Sequence, residues 1–163
     1  MAGRIFLLGD DIDTDQLAPG RYMQGGMDAL SAHCLEAVRP DFVATVRPGD
    51  LIVAGRNFGV GSSREQAAGA LLHLGLAAVI ARSFAGIFYR NAINLGLPVL
   101  VAPDISGIED GMSAELAIDA AELRLDARKI ALEPLPDNLS AILRAGGLVA
   151  CLKARFAEES DNT

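Results

Sequence analysis

The sequence predicts an α/β fold: one domain with a parallel βαβαβ core and a β-rich C-terminal appendage. Two patterns carry this expectation. Short apolar runs at 50–55, 77–81 and 97–101 alternate with stretches of helical spacing at 67–74 and 84–95. Strand, helix, strand, helix, strand at that spacing fits a parallel sheet. After Pro103 the texture changes, and residues 115–119, 122–126 and 129–133 alternate polar with apolar. That alternation is the mark of half-exposed antiparallel strands. The 163-residue length suits a single compact domain. Residues 1–155 are expected to form it, with 156–163 as a polar C-terminal tail that frays from Glu158.

Taken in order, Ile5, Phe6, Leu7 and Leu8 form a first short strand, and a loop dense in acids follows through Asp10, Asp11, Asp13 and Asp15. Residues 17–26 carry Pro19 and two glycine-rich spots, which predicts a mobile flap rather than a regular element. Met27, Leu30, Ala37 and Val38 give weak helical spacing that Pro40 stops. A Pro48-Gly49 turn leads into the buried strand at 50–55, and Gly96 ends the helix at 84–95. Pro134 and Pro136 close the alternating strands, Asp137 caps a helix over 138–145, and 148–152 reads as a last strand. No internal repeat or low-complexity segment is present.

Composition narrows the function. Hydrophobic residues make up 51 % and aromatics 5 %, so the core is aliphatic. The formal net charge of −7 argues against a nucleic-acid backbone or an anionic membrane as main partner. An anionic metabolite remains open to a local cluster of donors, for which Arg21, Arg56, Arg64, Arg82 and Arg90 lie near glycines. The two cysteines, Cys34 and Cys151, are far apart and in no metal-ligand spacing. The first residues lack a signal-peptide pattern, and no apolar run reaches the length of a membrane span, so the cytoplasm is expected.

Residues 59–66 read GVGSSREQ between a buried strand and a helix. Gly59 and Gly61 free the backbone, and Ser62 with Glu65 reads as a capping box. Ser63 and Arg64 are not explained by a turn and a cap. A glycine-rich turn into a helix N-terminus is a setting for an anion, because backbone N–H groups and the helix dipole both favour negative charge there. Arg64 adds a two-pronged grip on a carboxylate. The lysine of a P-loop is missing, the third glycine of a dinucleotide fingerprint is replaced by Arg64, and no G-x-S-x-G elbow is present here. His33 and His73 are the only bases of their kind, and His73 sits inside a helical pattern, which reads as structural.

Three stretches occur in one order at sensible spacing: GDDIDTDQLAP at 9–19, NFGVGSSRE at 57–65 and SFAGIFYRNAINLGLP at 83–98. Together they resemble the small subunits of 3-isopropylmalate dehydratases, of the shorter archaeal-type branch, and the swivelling C-terminal domain of aconitase. The resemblance covers nearly the whole chain and implies a swivelling β/β/α domain. It implies a hydro-lyase of leucine biosynthesis that interconverts 2-isopropylmalate and 3-isopropylmalate by dehydration and rehydration. It also implies a [4Fe-4S] cluster carried by a separate large subunit, with no metal on this chain, and a small dicarboxylate as substrate.

By position, Ser62 resembles the catalytic base, acting as an alkoxide, and Ser63 and Arg64 resemble its partners in holding substrate carboxylate. Thr14 and Asp15 match a Thr-Asp pair lining the site. Tyr22, Met23 and Gln24 occupy the flap that reads the variable side of the substrate. Arg90 and Asn91 read as structural, and Asp13 and Asp15 also fit turn-formers whose carboxylates accept backbone N–H bonds. Two departures stand out: Gln66 replaces the usual His after the motif, and Val60 replaces a frequent Cys. Gln24 stands where a reader of an extra carboxylate would offer Arg. Homoaconitate, citramalate and 2,3-dimethylmalate remain alternative substrates, and a non-catalytic anion-binding module remains an alternative function. Isolated chains are expected to self-associate through the apolar surface that meets the large subunit.

Overall fold

In the computed structural model, which describes residues 2–161, seven strands form one sheet in the order β4-β3-β2-β1-β5-β6-β7. The parallel half is β1 (Gly3–Leu7), β2 (Leu51–Ala54), β3 (Ala78–Ala81) and β4 (Val99–Val101). The antiparallel half is β5 (Ser113–Ala117), β6 (Glu122–Leu125) and β7 (Lys129–Ala131), joined to the first by β5 pairing with β1. The apolar runs form buried strands because both of their faces are covered: all four residues of β2 and of β3 are buried. Adjacent residues point to opposite sides. Phe6, Ile52 and Val79 enter one core, and Ile5, Leu51, Val53 and Ile80 the other.

Helices cover the first face. They are α1 (Thr14–Leu17), α2 (Gly26–Ser31), α3 (Phe42–Thr45), α4 (Glu65–His73), α5 (Gly86–Leu95) and α6 (Asp137–Arg144), and α7 (Leu148–Asp161) packs outside them on α5 and α6. The long helices α4 and α5 bury Ala67, Ala68, Ala70, Leu71, Phe88, Ala92 and Ile93 there. The second face is closed by the connection after β4, through Ala102 and Ile108, and by Ala114, Leu123 and Leu132 of the antiparallel half, so the sheet curls over its own core. None of the described helices is long and apolar enough to cross a membrane.

Four local expectations are corrected. The flap is regular: residues Gly20–Gly25 form a 3₁₀ helix that runs directly into α2. Residues 148–152 are not a strand but the first turns of α7, which begins after the left-handed Gly146 and Gly147 and continues to Asp161. A five-residue apolar run does not distinguish strand from helix by periodicity. Asn162 and Thr163, the last residues of the expected tail, lie outside the described residues. Asp137 is the first residue of α6 rather than its cap, which is Pro136, and its charge still favours the helix start. The helical spacing from Met27 yields a helix only to Ser31, followed by turns to Val38.

Cys34 is fully buried in the helical core, and burial pushes its thiol from 9.0 up to about 12. The folded state therefore favours the protonated thiol. Its stabilising effect is complete below pH 9.0 and is lost as the unfolded chain ionises between 9.0 and about 12. The wild-type melting temperature should fall more steeply above pH 9 than that of Cys34→Ala. Parallel pH profiles for the two proteins would contradict the burial argument.

Candidate active site

The candidate side chains stand beyond the carboxyl ends of the parallel strands β1 and β2, where open parallel sheets bind ligands. The acid-rich loop after β1 is zipped onto the loop after β2. The Gly55 N–H donates to Gly9 O at 3.1 Å, the Asp11 N–H to Arg56 O at 2.8 Å, the Gly59 N–H to Ile12 O at 2.7 Å and the Thr14 N–H to Val60 O at 2.8 Å. The loop after β3 joins them: the Phe58 N–H donates to Ser83 O at 3.0 Å and the Ala85 N–H to Phe58 O at 2.9 Å. Beneath, the Phe58 ring meets Phe84 and Phe88 edge-on, with centroids 6.0 and 5.3 Å away.

The four acids of the first loop separate into distinct jobs. Asp10 accepts the Arg56 N–H at 2.7 Å, a bond that holds its carboxyl below the usual range. Asp11, itself left-handed with φ 56°, accepts from Asn57 Nδ2 at 2.8 Å. Asp13 caps α1 in a reciprocal box: its carboxylate accepts the Gln16 N–H at 2.8 Å, and Gln16 Oε1 accepts the Asp13 N–H at 2.9 Å. Asp15, on the exposed side of α1, pairs with Arg64. Arg64 Nη1 also donates to Ala18 O at 3.1 Å.

The capping box expected at Ser62 and Glu65 is therefore in the wrong place. Helix α4 starts at Glu65 with Arg64 as its N-cap, and no side chain caps it. Arg64 N–H donates to Ser62 O at 2.8 Å, so residues 62–64 form a tight turn instead. This frees the Ser62 hydroxyl, which lies 3.3 Å from Thr14 Oγ1. Gly61, with φ 114°, makes that approach feasible, since a Cβ there would sit 2.9 Å from Thr14 Oγ1.

Of the residues singled out from the sequence, Thr14 meets Ser62 and Asp15 meets Arg64. Ser62 and Ser63 are exposed at the mouth, and no hydrogen bond among the described residues ties Ser63, Met23 or Gln24 to this group. Tyr22 is held elsewhere, stacked on His33 with centroids 3.5 Å apart and planes 6° from parallel. Gly20, at the start of the 3₁₀ helix, packs beside the Arg64 guanidinium. Gln66 is exposed in the first turn of α4. Sequence reasoning missed His33 and Glu36: Glu36 accepts from Arg21 and lies 2.7 Å from His33 Nδ1. Their i,i+3 spacing is the one local signal, and their other partners, Arg21 and Tyr22, come from the far side of α2. A carboxylate-binding guanidinium beside a hydroxyl that shares a hydrogen bond can hold an acid and move a proton next to it.

Comparison with known proteins follows the same lines. Residues 35–104 match the aconitase C-terminal domain family. The chain is 50 % identical over 155 residues to 3-isopropylmalate dehydratase small subunit 1 of Methanopyrus kandleri, spanning 93 % of this chain and 91 % of that one. It is 48 % identical over 148 residues to the methanogen homoaconitase small subunit of Methanothermobacter thermautotrophicus, spanning 90 % and 87 %. The crystal structure of 3-isopropylmalate dehydratase from Methanocaldococcus jannaschii superposes with a TM-score of 0.94 at 43 % identity, covering 99 % of this chain and 98 % of that one.

The zip between the loops depends on Gly59, which has φ 80° and leaves no room for a side chain: a Cβ would lie 2.2 Å from Phe88 Cγ. Gly59→Ala should destabilise the fold by about 3 kcal/mol from backbone strain and overpacking. Urea unfolding would read this, and a midpoint within error of wild type would refute it.

Proposed function

The chain belongs to the 3-isopropylmalate dehydratase small-subunit family of the aconitase superfamily, and we propose from that premise how its own residues take part in the reaction. It is the small subunit of a hydro-lyase of leucine biosynthesis that interconverts 2-isopropylmalate and 3-isopropylmalate and works with a large subunit. In the forward half-reaction a proton leaves the carbon beside one carboxylate and the hydroxyl leaves its neighbour. The products are an alkene and water. Adding water back with the hydroxyl on the other carbon gives the isomer.

Ser62 is the base that takes the proton. A serine alkoxide is unfavourable in water and needs donors fixed around it. Thr14 Oγ1 is one such donor at 3.3 Å, and the start of α4 lends its positive end. Arg64 binds the substrate carboxylate next to the departing proton and stabilises the charge that spreads onto it. Its Nη1 is already engaged by Asp15 and by Ala18 O, which leaves Nη2 and Nε for the ligand. Gly20, lacking a side chain, does not block that edge. Asp15 thus contributes to carboxylate binding by aiming Arg64, and Ser63 donates beside it. We assign the variable side of the substrate to the flap that carries Tyr22, Met23 and Gln24, with Tyr22 acting from its place against His33. The observation that carries this reading is the convergence of two elements, with Thr14 against Ser62 and Asp15 against Arg64.

A [4Fe-4S] cluster does not fit this chain's own donors: Cys34 is buried in the core, Cys151 is on α7, and no group of three or more ligating side chains occurs among the described residues. We assign the cluster to the large subunit, where it supplies Lewis-acid chemistry at the leaving hydroxyl when bound. The complex is assigned to the cytoplasm.

The test is anaerobic turnover of 3-isopropylmalate by this chain mixed with its large subunit, followed by absorbance of the alkene. Ser62→Ala should lower kcat about 10³-fold. Undiminished activity in that variant would remove Ser62 from the chemistry. Arg64→Lys should raise KM by about 10- to 100-fold, since the two-pronged grip is lost. An unchanged KM would place the carboxylate elsewhere. A complex with no turnover on any substituted malate would favour a non-catalytic module.

A further inference from the structure

We propose that Glu36 sets the class of substrate this chain accepts. By neutralising Arg21, it leaves the depression beside Arg64 without an unpaired cation. A malate with an uncharged substituent is then accepted, and one with a third carboxylate is turned away. The inference rests on the reading of Arg64 given above.

The depression is bounded by α1 and by the 3₁₀ helix of the flap, and Asp13, Asp15, Gly20, Arg21 and Glu36 are among its lining residues. It adjoins Arg64 through two of these, since Asp15 pairs with Arg64 and Gly20 packs against it. Three carboxylates here, on Asp13, Asp15 and Glu36, meet two guanidiniums, on Arg21 and Arg64. Arg21 is taken by Glu36 and Arg64 by Asp15, so the surplus charge is the carboxylate of Asp13. A substrate carboxylate reaching this depression meets no free cation among the described residues and meets the Asp13 carboxylate, whose charge is offset only by the start of α1, an unfavourable encounter at short range.

Glu36 is not free to swing away. His33 Nδ1 lies 2.7 Å from its other oxygen, and the His33 ring is itself clamped against Tyr22 at 3.5 Å. The Leu35 N–H donates to Gln16 O at 2.7 Å, which ties the backbone of this segment to α1. Arg21 is steadied on a second side, with its guanidinium 4.8 Å from the Tyr22 ring centroid. Removing the charge of Glu36 therefore leaves Arg21 beside the depression as an unpaired cation.

The experiment uses this chain assembled anaerobically with its large subunit and compares kcat/KM for 3-isopropylmalate and for homoaconitate, which carries the third carboxylate. Wild type should prefer 3-isopropylmalate. Glu36→Gln, which keeps the shape and loses the charge, should move the ratio toward homoaconitate by about tenfold or more, mainly through KM, the scale of one charge-assisted hydrogen bond. Arg21→Gln in that background should cancel the shift. An unmoved ratio in a Glu36→Gln protein of normal melting temperature overturns the proposal. If Glu36→Gln does not fold, Arg21→Gln alone decides, because the Arg21 side chain is 68 % exposed. That variant should move the ratio further away from homoaconitate, and a ratio that stays put or moves toward it overturns the proposal. A wild type silent on both substrates fails the parent reading, and one that turns over 3-isopropylmalate with no response to Glu36 or Arg21 fails this inference alone.

Discussion

The zip between the loops after β1 and β2 is the constraint on which the site depends. Short hydrogen bonds from Gly59 to Ile12 and from Thr14 to Val60 extend strand pairing past the end of the sheet. Because β1 and β2 are parallel neighbours, both chains leave the sheet at the same end and can continue side by side. That continuation delivers α1 and the start of α4 to one place, and with them Thr14, Asp15, Ser62 and Arg64. The left-handed turn at Gly59 over Phe88 lets the second chain follow the first. The candidate residues stand on short, hydrogen-bonded segments and inherit their precision from the sheet.

Arg64 shows how local structure yields to the site. A helix start would ordinarily take a serine or aspartate cap worth about 1 kcal/mol. Here the N-cap is Arg64, whose side chain reaches across to Asp15 and Ala18 instead. The chain forgoes a cap at α4 and gains a guanidinium held in one orientation, and it places its reciprocal cap on α1, through Asp13 and Gln16. The flap has the same logic: Arg21 pairs with Glu36 and Tyr22 stacks on His33, so the 3₁₀ helix is held by contacts within the chain.

Where the sequence was misread, the signals were local and the deciding contacts were not. Ser62 and Glu65 have the letters of a capping box, but the turn at 62–64 moves the helix start to Glu65, with Arg64 as its N-cap and paired to Asp15. The flap carries glycines and a proline, which locally mean a turn, and its order comes from residues 11 to 15 positions further on. The run at 148–152 is too short to have a period, and the preceding left-handed glycines turn it into a helix that leaves Val149 65 % exposed.

By itself the sequence determined the parallel core, because strands buried on both faces must be continuous apolar runs, and the antiparallel appendage, because half-exposed strands must alternate. It also determined the family, through three stretches whose order and spacing were specific. Only the tertiary structure decided that Ser62 is free of a capping role, that Asp15 is bound to Arg64, and that Glu36 and His33 contact Arg21 and Tyr22 of the flap. Each of these is a contact between side chains distant in sequence, and its existence depends on how the sheet brings two loop ends together, which no local pattern encodes.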